Sequence, residues 1–94
     1  MPVNINNVKI LLAKADQDLR ALVKEQGITP GSVDFQGCPE MIWWIHRAWV
    51  SGDEGDFASM MAALKMAIGS RYEEEVAPLF KGYPQEFIDD VRSF

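Results

Sequence analysis

Apolar residues recur every three to four positions along this chain, and glycine or proline interrupts the pattern before any run grows long. A helix turns once per 3.6 residues, so this spacing gathers the apolar side chains into stripes that need burial against one another. Val8, Leu11, Leu12, Ala15, Leu19, Leu22 and Val23 form the clearest stripe, with Lys9, Lys14, Asp16, Gln17, Arg20 and Lys24 on or beside the opposite side. Ile10 alone points away from it. Asn4 or Asn6 can cap the start, and Gly27 supplies a stop, which predicts a first helix ending at Gln26.

Residues 27–38 hold three glycines and a proline and predict a connection. Val33 and Phe35 alternate within it and are expected to pin it to the core. Pro39 suits the first turn of a second helix and Glu40 its positive end, with Gly52 just past the last residue, Ser51. Asp53 then caps a third helix, whose single stripe is Phe57, Met60, Met61, Leu64, Ile68 and Tyr72. Pro78 prevents that helix from continuing unbroken past Ala77. Gly82-Tyr83-Pro84 punctuates again, and Pro84 opens a last short helix with Phe87, Ile88, Val91 and Phe94 on one face. The expected fold is all-α: a compact single-domain bundle of about four helices across residues 1–94, with a longer loop between helices 1 and 2.

Composition narrows what such a bundle can do. A chain of 94 residues, 48% hydrophobic and 24% charged, can bury one modest core and lacks the composition of a disordered segment. The formal net charge is −5, which repels a phosphate backbone and argues against direct nucleic-acid binding. The acidity is uneven. Residues 1–26 carry four basic and three acidic groups, whereas residues 27–94 carry five basic and eleven acidic ones. One cysteine, Cys38, excludes an internal disulfide framework and fits a reducing compartment. The first residues lack the charged and apolar blocks of a signal peptide, and apolar runs such as Met41–Ile45 are far shorter than a membrane span. A cytoplasmic location, with no membrane partner, is the expectation.

The second helix carries more apolar surface than one core needs. Met41, Trp44, Ile45, Ala48 and Trp49 cluster on one side and explain ordinary packing. Trp43 and Val50 fall on the other side, flanking Arg47 with His46 nearby. Trp and Arg are the residue types in which interface anchors are enriched. The competing structural explanation is that Trp43 packs beneath the 27–38 loop. Opposite the stripe of the third helix lies a second, small-residue face of Ser59, Ala62, Ala63, Met66 and Ser70, where exposed Met would adapt to a partner surface.

Glu73, Glu74 and Glu75, with Asp53-Glu54-Asp56 and Asp89-Asp90, present carboxylates that can imitate a phosphate backbone or merely keep a helical face solvated. None of these clusters has the ligand alternation of a calcium loop. Cys38 and His46 are too few for a structural zinc site. Eight residues of helix also separate them by about 12 Å along its axis, beyond the reach of a nucleophile–base pair. No phosphate-binding glycine loop, nucleophile elbow or paired-histidine motif is present. No cofactor, metal or catalytic residue is therefore expected.

The leading expectation is a non-enzymatic protein-binding module, an inhibitor, adaptor or assembly factor and a possible homo-oligomer. Its contact residues would be Trp43, Arg47, Val50, His46 and Met66. The alternatives are an acidic nucleic-acid mimic that uses Glu73, Glu74 and Glu75, and a small ligand-binding protein or enzyme with an aromatic site around His46 at a subunit interface.

Overall fold

In the computed structural model, residues 2–27 and 39–94 are described. They form α1 (Ile5–Gln26), α2 (Pro39–Ser51), α3 (Glu54–Ile68), a 3-10 turn (Gly69–Arg71), α4 (Tyr72–Leu79) and α5 (Gln85–Arg92). The all-α bundle with its longest connection between the first two helices is as the sequence predicts. The radius of gyration, 12.5 Å, agrees with the roughly 12.4 Å expected for a compact chain of this length. The expected loop contacts of Val33 and Phe35, and the position of Cys38, lie outside the described residues.

Local chemistry sets most helix ends. Asn4 settles the choice of first cap: its side chain accepts from the backbone N–H of Asn6 at 3.1 Å and of Asn7 at 3.5 Å. Gly27 closes α1 in the left-handed region, φ 72°, with its N–H on the Val23 carbonyl. Asp53 caps α3 by accepting from Asp56 N–H at 3.0 Å. The start of α1 is tied to the start of α3, because Glu54 Oε1 accepts the Asn4 N–H at 3.1 Å. Pro84 precedes α5, which buries Phe87 and Val91 and half-buries Ile88, and Phe94 is half-buried just past its end.

α3 lies at the centre and packs against α1, α2 and α4. Phe57, Met61, Leu64 and Ile68 are buried as the sequence pattern requires, but so are Ala58, Ala62, Met66 and Ala67. Here the reading of Met66 as a partner-contact residue is overturned, since it is only 6% exposed. Gly55 and Ser59 of α3 line an open groove together with Leu11, Ala15, Leu19 and Leu22 of α1. Ala62, on the small-residue side of α3, belongs to the core cluster, so part of that side is used inside the domain.

The α1 stripe is less completely covered than its pattern suggests. Val8 and Leu12 are buried, Ala15, Leu19 and Val23 are half-buried, and Leu11 and Leu22 are exposed. At 1.5 Å per residue α1 is about 33 Å long and α3 about 22 Å, so α3 alone cannot cover the whole stripe.

The third predicted helix is divided earlier than Pro78. Gly69 takes φ 69° and ψ −135°, a conformation that side-chain-bearing residues avoid, and the 3-10 turn redirects the chain into α4. Pro78 sits in the last turn of α4, where few backbone bonds depend on it. Tyr72 is thus the first residue of α4, and its buried hydroxyl donates to the Val91 carbonyl at 2.6 Å. Burial raises the pKa of this phenol above the usual tyrosine range.

Candidate protein-contact face

α2 uses Ile42, Ile45, Ala48 and Trp49 to join the core. Ile42, Ile45 and Trp49 stand at i, i+3 and i+7, so a single stripe fills the space against α3 and α5. Trp49 fixes the rotation of the helix. Its indole N–H donates to Asp90 Oδ2 at 2.7 Å, and its ring meets Phe87 at 5.3 Å between centroids. With Trp49 held inward, Trp44 turns outward. The assignment of Trp44 to the core is therefore corrected: it is 51% exposed, and Ile42 fills the inner position instead.

The outer side of α2 then carries two tryptophans. Trp43 is 46% exposed and Val50 is 55% exposed. The two indoles meet edge to face with centroids 4.8 Å apart. The Arg47 guanidinium lies 5.3 Å from the Trp43 centroid and 5.6 Å from that of Trp44. Trp43 and Arg47 meet, Trp44 joins them, and Val50 is exposed three residues further along the same side. Exposed Glu40 occupies the first turn of the same helix, seven residues before Arg47, and so continues the face. The alternative that the 27–38 loop covers Trp43 concerns residues outside those described.

His46 departs from its predicted place. It is half-buried, with its ring 4.8 Å from Tyr83, 4.9 Å from Phe87 and 6.0 Å from Trp49. Its Nε2 is buried and meets no hydrogen-bond partner among the described residues. Burial lowers the imidazole pKa, because charging the ring would cost its hydration. His46 joins α2 to the α4–α5 connection and does not belong to the outer face. No signal local to α2 announces this, since Tyr83 and Phe87 come from the far end of the chain.

Glu73, Glu74 and Glu75 fill the first turn of α4, where the helix dipole favours negative charge. Glu75 is paired with Arg71 at 2.8 Å, and Asp90 is engaged by Trp49. Among the described residues no group of three His, Cys, Asp or Glu side chains is placed to hold a metal, and no helix is long and apolar enough to cross a membrane. Compared with protein-family models, curated protein sequences and solved structures, the chain matches none.

Proposed function

We propose that this chain is a non-enzymatic protein-binding module, an inhibitor, adaptor or assembly factor, that engages its partner through the outer face of α2. The observation that carries this reading is the pair of half-exposed tryptophans with Arg47 across both, on a helix whose inner face already fills the core. Apolar exposure of that kind is costly in water and is concentrated where proteins meet. Trp43 and Trp44 act as anchors that a partner pocket desolvates. Arg47 is held over them in a position to donate to a partner carboxylate, and Val50 extends the apolar contact.

The test is retention on the immobilised protein from its native host, followed by intact-mass measurement of what is retained. A Trp43→Ala/Trp44→Ala variant that keeps its far-UV circular dichroism should lose the retained species, and Arg47→Ala should weaken its retention. Equal retention by wild type and the double variant overturns the proposal.

A further inference from the structure

We infer that the occupant of the α2 face is a second copy of this chain, docked α2 against α2 in antiparallel orientation about a two-fold axis between Trp43 and Trp44. This rests on the reading of that face as a contact surface. The argument comes from the order of side chains along it. Glu40, Trp43, Trp44, Arg47 and Val50 share the exposed side, with an acid before the tryptophans and a base after them. A two-fold interface is isologous, so the same patch must complement itself. With the axis midway between positions 43 and 44, Trp43 faces Trp44 of the second copy and Glu40 faces its Arg47. Both relations then recur on the other side of the axis, giving four indoles at the centre and two ion pairs flanking them. Parallel docking would set Glu40 against Glu40 and Arg47 against Arg47, so the charge order selects the antiparallel arrangement.

Charge elsewhere does not oppose this docking strongly. The chain has a net charge of −5, yet α2 carries one acid and one arginine, with its single histidine held towards neutrality by burial. The surface repulsion between copies is screened over about 8 Å at physiological salt. The area sets the strength. Two half-exposed tryptophans contribute roughly 200 Å² per copy, and Glu40 and Arg47 bring this to roughly 400 Å². The total of roughly 800 Å² is below the 1,200–2,000 Å² of stable interfaces, so the dimer exchanges rapidly and forms at micromolar or higher concentration.

Sedimentation velocity of the full chain from about 1 µM to about 500 µM tests this, with far-UV circular dichroism confirming that each variant is folded. Wild type should pass from monomer to dimer. Glu40→Lys and Arg47→Glu should each move the midpoint at least about tenfold upward, because each sets like charges together. An equimolar mixture of the two single variants should recover association, as should the doubly reversed variant, since both restore opposite charges across the axis. A wild type that stays monomeric overturns the inference, as does a dimer indifferent to single reversal or a mixture that fails to recover. If wild type is monomeric but Trp43→Ala/Trp44→Ala still abolishes retention of a host protein, only the second copy falls and the contact face stands. If retention is also unchanged, both fall.

Discussion

The Trp49 indole N–H donates to Asp90 Oδ2 at 2.7 Å, joining α2 to α5 across 41 positions of sequence. This bond orients α2, because Trp49 cannot be turned away from Asp90 without also withdrawing Ile42 and Ile45 from the core. A hydrogen bond to a charged acceptor contributes about 1.5–3 kcal/mol, with partly exposed examples at the lower end. Asp90→Ala should therefore destabilise the fold by about 1–2 kcal/mol in urea unfolding. Trp49→Phe should cost more, because part of a buried indole is lost along with the donor. In a double-mutant cycle the two changes should couple by at least about 0.5 kcal/mol. Strict additivity would mean that the bond does not hold the two helices together.

His46 gives the protein a pH dependence of defined sign. The ordinary imidazole value is 6.5, and burial against Tyr83, Phe87 and Trp49 lowers it in the folded state. As pH falls through about 6.5 the unfolded chain takes up a proton that the folded chain resists, so unfolding becomes more favourable. The stability is intact above that value and declines towards the lower folded value. The chain has one histidine, so no other imidazole contributes. Urea midpoints should fall between about pH 7.5 and pH 5.5 in wild type, and the slope should flatten in His46→Phe, which keeps a ring in the site. An unchanged slope in the variant would remove His46 as its source.

The features legible in the sequence are those determined by neighbours along the chain. Asn4, Gly27, Asp53 and Pro84 act on backbone groups within a few residues, and each marks a helix boundary where its chemistry predicts. Trp43, Arg47 and Val50 were legible as one face because helical spacing alone assembles it. The exchange of Trp44 for Ile42 was not legible. The positions differ by only two residues, and periodicity leaves the rotation of an apolar-rich helix undetermined until a distant group such as Asp90 selects it. Met66 was misplaced for a related reason. A small-residue face looks the same whether it is covered within its own chain or by another, and only the tertiary fold decides. His46 required knowing that the α4–α5 connection folds back onto α2.

Met66 and Trp44 exchange their expected places, and substitutions should reveal it. Met66 is 6% exposed on the central helix, so Met66→Ala removes packed atoms and leaves a void, costing about 2–3 kcal/mol. Trp44 is the larger residue but is half in water, touching Trp43 and Arg47 on the same helix. Trp44→Ser should cost at most about 1 kcal/mol, since surface changes away from caps and buried networks rarely exceed that. Parallel urea titrations, made at a concentration low enough to keep the protein monomeric, give both values under identical conditions. Truncating a methionine should then prove more damaging than replacing a tryptophan. The opposite order would mean that α2 packs with Trp44 inward, which would dismantle the contact face and the dimer built upon it.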